Sequence, residues 1–327
     1  MTSLSRKARL LIPASLLAIG SLGALSAQAN TSLNIGAVPT GTGWFFGISE
    51  GARVISANTD YEITVRETGG TRENAIRLTR GELDLAFTEA LVGYEMYNGT
   101  GRFEDTPNPD ARLLYWIAPS TMHWAVREDS GIEDFEGLNG QRFNPSSIGG
   151  GGEYITELVF DILGVAPDFQ RMRIDDAAEG VVDGRLVGFS YNGVPPIPAF
   201  TEVHSSRTLR LLSLTDEQVE QVTAELPFLA GTVIPEGTYR GMPDATSLGI
   251  YMGVAANADL SDDTVYEITK AYWENHEQVA NSFKPAEGVT PQTVIDNATF
   301  PLHAGALRYY QELGLDIPEE VIPPEAQ

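Results

Sequence analysis

There is no cysteine in the 327 residues. That excludes disulfides, zinc–thiolate sites and cysteine nucleophiles together. Stability is left to apolar cores, for which an apolar fraction of 42% in a chain of this length is sufficient. Basic residues are scarce: 21 Lys and Arg stand against 45 Asp and Glu, a net charge of −24. A surface of that sign repels nucleic acid and anionic lipid, so neither is expected as a partner. It suits a protein kept soluble in salt and an ordinary acidic exported protein equally well. Past residue 30 no apolar run approaches the ~18 residues that cross a bilayer, which argues against direct membrane insertion.

Catalytic signatures are lacking too. The four histidines, His123, His204, His276 and His303, show no H-E-x-x-H spacing, and there is no G-x-S-x-G elbow. The glycine runs fit neither a phosphate-binding P-loop nor G-x-G-x-x-G. The sequence therefore implies no catalytic residue, no metal and no cofactor, and the chain is expected not to be an enzyme. His303 reads as a structural residue near a helix start. His123 remains a candidate for a cleft.

What is present begins with a basic Arg6-Lys7-Ala8-Arg9, an apolar stretch from Leu10 to Leu25 broken by Pro13 and Gly20, and Ala27-Gln28-Ala29. This is the pattern of a secretory signal peptide over 1–29, cut after Ala29. No cysteine follows for a lipid anchor. Export would give a periplasmic chain starting at Asn30, and loss of the three basic residues would take −24 to −27.

From residue 32 onward, short apolar strands alternate with helical patterns: strand 32–38, helix 44–58, strand 61–66, helix 71–80 with Thr71 as its cap, strand 83–88. A second series follows, with strands at 112–117 and 122–126, a glycine run at 149–152 before a helix, and a strand at 186–191. Two α/β units joined by crossings near 118–126 and 245–256 predict two lobes: 30–122 with 250–327, and 123–249. The tail beyond Ile317 is rich in Pro and Glu and reads as loose. Ligands of open α/β sheets sit at the carboxyl ends of strands, beside helix N-termini. Three glycine-rich loops have that position: 39–44, 67–72 and 145–152.

Those loops carry a resemblance. Gly36 to Gly47 (GAVPTGTGWFFG), Glu67 to Asn74 (ETGGTREN), Gly81 to Leu85 (GELDL), Ser130-Gly131-Ile132, Leu226-Pro227-Phe228 with Ile234 to Tyr239, and Pro301 to Ala306 with Arg308-Tyr309-Tyr310 occur in that order. Together they resemble the TAXI-type solute receptors of tripartite ATP-independent periplasmic (TRAP) transporters. The resemblance implies a type II periplasmic-binding-protein fold with a ligand cleft between lobes. It also implies capture of a small polar metabolite, an amino acid such as glutamate or a small carboxylate. Delivery would be to an ion-gradient-driven permease of large and small subunits, often fused. Rival readings are a binding protein for an ABC importer, a sensor without a transporter, and an enzyme reusing the fold.

Candidate ligand contacts are Thr42, Trp44 and Phe45 in the first loop, Gly69 and Thr71 in the second, Gly150, Gly151 and Gly152 in the third, and Tyr191 and Asn192 at a second-lobe strand end. Glu89 is the eleventh, where the family usually has Gln. A desolvated carboxylate requires a partner. The candidates are a ligand ammonium or one of Arg66, Arg72 and Arg77. Glu153, where the family has a basic residue, reads as a first-turn acid facing solvent.

Overall fold

The computed structural model describes residues 31–148 and 150–327. The signal-peptide reading of 1–29 lies outside the described residues. The described residues form ten strands and eleven α-helices in the order β1 Thr31–Gly36, α1 Gly43–Asn58, β2 Tyr61–Arg66, α2 Thr71–Thr79, β3 Leu85–Glu89, α3 Ala90–Asn98 and β4 Ala111–Arg127. Next come β5 Arg142–Asn144, α4 Gly151–Ile162, β6 Asp168–Phe169, α5 Ile174–Val182, β7 Gly188–Gly193, α6 Pro198–Ser206, β8 Leu209–Leu211, α7 Asp216–Glu225 and β9 Ala230–Ile234. β10 Ala245–Asn257, α8 Asp262–Glu274, α9 His276–Ser282, α10 Pro291–Asp296 and α11 Ala304–Glu312 complete it.

The strands join in the order β2-β1-β3-β10-β4-β7-β5-β6, with β8 on β4 and β9 on β10. β1 to β3 are parallel, and β10 enters antiparallel between β3 and β4. β4 and β10 are shared by two half-sheets, which makes the α/β fold two-lobed. Residues Thr121–Val126 of β4 pair with β7, while Ala111–Trp116 pair with the far end of β10. The switch falls where Pro119 and Ser120 face Tyr251 and Ile250.

The two strands read at 112–117 and 122–126 are therefore one. Pro119 suggests a break but does not impose one: it is exposed, and β7 begins to pair only at Thr121, so the missing N–H costs no ladder bond there. Nearly every other residue of β4 is buried, as the run ARLLYWIA predicts for a strand covered on both faces. A large core surrounds Trp116, Phe87 and Tyr310, and a smaller one packs Phe189, Phe200, Val203 and Leu209 under the second half-sheet.

His123 belongs to the second half's packing and not to a cleft. Its ring lies 5.3 Å from Phe200 and 5.8 Å from Tyr239, and Nδ1 meets the Thr121 carbonyl at 3.0 Å. Burial pushes its pKa down to about 4. His303 caps α11, accepting from the Gly305 N–H at 3.1 Å. The tail is anchored, contrary to its composition. Val321 is buried, its carbonyl accepts from the Leu302 N–H, and the Glu325 carboxylate receives two bonds from the buried Arg112 guanidinium at 2.7 and 2.9 Å.

Candidate ligand-binding cavity

The second glycine loop shows how sequence places a site. Thr68 donates its hydroxyl proton to the Ala37 carbonyl at 2.9 Å, and the buried Asn74 amide donates to Ala37 and Phe87 carbonyls at 2.6 and 3.0 Å. These bonds tie the ends of β1 and β3 to the start of α2. Between them the cap of α2 is Gly70, not Thr71, because the turn needs φ of +125°. Thr71 is released from capping, and its hydroxyl donates to Glu89 Oε1 at 3.3 Å.

Glu89 ends β3 and opens α3. It is 2% exposed, and that bond from Thr71 is the one contact its carboxylate accepts among the described residues. Burial raises its pKa to about 7, against smaller lowering effects of Thr71 and the Arg102 charge. Two of its three nominated counterions are occupied elsewhere: Arg66 donates to Asn34 and Arg77 pairs with Glu73 and Glu82.

Around Glu89 lies a cavity of about 170 Å³ where the two half-sheets meet. From the first half it is lined by Trp44, the Gly69–Arg72 turn, Glu89 and Arg102. The second half supplies Ser146 and Ser147, the Gly150–Gly152 start of α4, Tyr191 and Asn192. Trp44 is fixed by Phe87 and Phe283, each 5.5 Å away between ring centres. Ser146 holds φ at +124°, outside the ordinary range of a residue with a side chain, as occurs where a loop is shaped for a site. Burial raises the Tyr191 pKa.

Of the eleven nominated residues, nine line the cavity and two do not. Thr42 is spent as the cap of α1, accepting from the Phe45 N–H at 3.1 Å. Phe45 packs against the large core instead. Glu153 is 6% exposed and sits 3.2 Å from Arg171, so it does not face solvent. Sequence reasoning treated Arg72 only as a possible counterion and missed Arg102 altogether. Arg72 makes no hydrogen bond or ion pair among the described residues. Arg102 follows α3, a helix that composition did not announce.

The arrangement can neutralise an anion and fill a donor's need in one chamber. Two guanidiniums and the positive ends of α2 and α4 converge on it, and one buried carboxylate faces them. Among the described residues no group of His, Asp and Glu could hold a metal ion, and no helix is long and apolar enough to cross a membrane.

The sequence profile of the NMT1-like family matches residues 35–314, and the chain belongs to that family. Its fold is similar to that of MatC from Rhodopseudomonas palustris with bound malate, at TM-score 0.55 and 11% identity over 87% of this chain and 97% of the other. It is similar to XAC2383 from Xanthomonas citri bound to ATP, at 0.53 and 11% over 86% and 98%. A TctC solute-binding protein from Polaromonas gives 0.50 and 14% over 87% and 98%. These likenesses are of the periplasmic binding-protein fold.

Proposed function

We propose that this NMT1-like chain is a periplasmic solute receptor, not an enzyme. In this reading it captures a small polar metabolite between its lobes and passes it to an ion-gradient-driven TRAP permease of large and small subunits. The observation that carries it is the cavity at the junction of the half-sheets: about 170 Å³, with Arg72 uncommitted and Glu89 buried. The collinear TAXI-like segments support the finer family. The TGG-x-x-EN segment among them builds one wall of the cavity. The lobes would be 30–122 with 250–327 and 123–249, meeting at the β4–β10 switch. Export would cut the chain after Ala29, and the mass of the secreted product tests this.

The ligand would be an amino acid such as glutamate: its carboxylate on Arg72, Arg102 and the helix ends, its ammonium on Glu89. One observation favours a second ligand. With a pKa of about 7, Glu89 can also stay protonated and donate to a carboxylate, which fits a small dicarboxylate lacking an amine. A thermal-shift panel of L-glutamate, 2-oxoglutarate and L-malate tests the receptor reading, since ligand at a hundredfold excess over Kd stabilises by about 2.7 kcal/mol. No shift with any of them would count against it. The Glu89→Gln variant separates the ligands. An ammonium partner lost from a buried charge pair costs roughly 2–4 kcal/mol of L-glutamate affinity, with 2-oxoglutarate unaffected or improved. Equal loss for both would leave Glu89 a structural residue.

A further inference from the structure

Arg102 is held from the opposite side of the cavity. It leaves the turn after α3, and its guanidinium lies 3.8 Å from the centre of the Tyr154 ring, in stacking range for a cation on an aromatic face. Tyr154 sits in the first turns of α4, in the second half of the molecule. Its hydroxyl donates to Glu95 Oε1 at 2.8 Å, and the other Glu95 oxygen accepts from the Arg102 backbone N–H at 3.4 Å. Glu95 is 5% exposed and belongs to α3, the helix that Glu89 opens. Burial raises the pKa of Glu95, and burial with the Glu95 bond pushes the Tyr154 hydroxyl up to about 12. Gly101 completes the ring. Its φ is +53°, and a Cβ there would fall on the Glu95 carboxylate and within 2.9 Å of the Tyr154 hydroxyl.

We propose that Tyr154 and Glu95 are positioning residues that clasp the two lobes and, by the same contacts, hold Arg102 in the cavity, so that its charge is in place only when the lobes are shut. The proposal rests on the reading of this cavity as the ligand site. Each part of the ring has a separate job. The Tyr154 ring supports the guanidinium from one face. The hydroxyl fixes Glu95, and Glu95 fixes the backbone from which Arg102 departs. A ligand anion meeting Arg102 would therefore also strengthen the clasp, because it favours the closed state in which the arginine is held.

The absence of cysteine makes a clean test possible. Cysteines introduced at the exposed positions Glu62 and Asp183, one in each half, carry spin labels without background. In the ligand-free, otherwise unaltered chain, double electron–electron resonance is expected to show a short-distance population. That population should fall several-fold in Tyr154→Phe, which keeps the ring, and vanish in Tyr154→Ala. Tyr154→Phe should stay folded and melt only a few degrees below the parent, because Glu95 loses one donor. With L-glutamate as probe, stopped-flow fluorescence of Trp44 should show dissociation about tenfold faster in Tyr154→Phe and association unchanged. Arg102→Ala with Tyr154→Ala together should lose clearly less affinity than the sum of the two single losses. Coincident distance distributions, a parent with no short population, or additive losses would each overturn the clasp. If the short population responds to Tyr154 but L-glutamate and its analogues do not bind, the ligand reading fails and the clasp stands. Binding with unchanged distances defeats the clasp alone.

Discussion

The two walls of the cavity are chemically unlike. The first half brings side chains with charge: Arg72, Arg102 and Glu89, with Trp44 as a fixed apolar surface. The second half brings backbone and neutral tips: three glycines at the start of α4, two serines, Tyr191 and Asn192. A charged wall discriminates by sign, since a like charge or an unpaired one in a buried site costs several kcal/mol. A wall of glycines discriminates by approach, because only a backbone without Cβ can come this close to the carboxylate opposite. On the proposed reading of this cavity, the first lobe would decide what is bound and the second how tightly the chamber shuts.

The sharpest way to break that division is to put a side chain on the glycine wall. A Cβ on Gly151 would lie 2.5 and 3.0 Å from the two oxygens of the buried Glu89, so either that carboxylate or the start of α4 must shift. Gly151→Val is expected to lower affinity for the best ligand of the panel at least a thousandfold, about 4 kcal/mol. The melting temperature of the ligand-free protein should barely move, since the clash is between lobes. Calorimetric titration decides it. Binding within tenfold of the parent would show that the lobes do not need this contact.

Next in size is the effect of pH through Glu89. Its pKa is raised from 4.5 to about 7 by burial, so the folded state holds a proton that the unfolded chain has released. Stability from this group is complete below pH 4.5 and falls as pH rises to about 7, by about 3 kcal/mol in all. Glu89→Gln should therefore be more stable than the parent at pH 8 by roughly that amount, and the gap should close at pH 5. Urea melts at the two pH values measure it. Binding carries the same sign test. If an ammonium meets Glu89, affinity rises with pH through about 7. If a carboxylate accepts its proton, affinity falls over the same range. A flat profile for both measurements would remove Glu89 from the charged wall's function.

How much of this was legible in the sequence follows from range. The β–loop–α units and nine residues that line the cavity, of the eleven nominated, could be read because glycine turns and apolar strands are local signals. Arg102 was not legible. It reaches the cavity only because α3 ends at Gly99 in the left-handed region and the chain doubles back, and no periodicity announces a short helix as apolar as ALVGYEMYN. Glu153 was misread for a related reason: its partner Arg171 lies across a loop, and first-turn preference describes a helix in water, not one packed on a neighbour. Thr71 looked like a cap on residue type, but a backbone needing positive φ selected Gly70.

The tail gives the third test, because it concerns the first half's framework and not its charged wall. Arg112 is almost wholly buried in β4; its Nε and Nη2 donate to Glu325, whose own side chain is 37% exposed, and its Nη1 donates to the Pro109 and Ala111 carbonyls. Breaking a fully buried pair costs about 3–5 kcal/mol; with one partner more than a third in water, roughly 2 kcal/mol is expected for Glu325→Ala. Ligand affinity should stay at the parent value, as Arg112 is not among the cavity residues. A change in affinity larger than twofold would mean that the strands shared by the two lobes transmit strain to the chamber.

The smallest effect separates proximity from contact. Thr42 sits in the first glycine loop, two residues from Trp44, and on sequence grounds it belonged with the ligand contacts. Its hydroxyl instead donates to the Pro39 carbonyl at 2.9 Å and accepts from the Phe45 N–H at 3.1 Å. Both of its hydrogen-bonding directions are used inside the loop. Thr42→Ala removes the cap of α1 and is expected to cost about 1 kcal/mol of stability. Serine at the same place keeps the hydroxyl and should restore it. Affinity for the best ligand should stay within twofold in both variants, because Trp44 is held by Phe87 and Phe283 and not by the cap. The comparison to make is Thr42→Ala against Thr71→Ala, whose hydroxyl donates to Glu89. Thr71→Ala should lose ligand affinity several-fold with little loss of helix stability, since Gly70 and not Thr71 caps α2. If Thr42→Ala weakens binding as much as Thr71→Ala does, the first loop contacts the ligand directly and the charged wall extends further than Trp44.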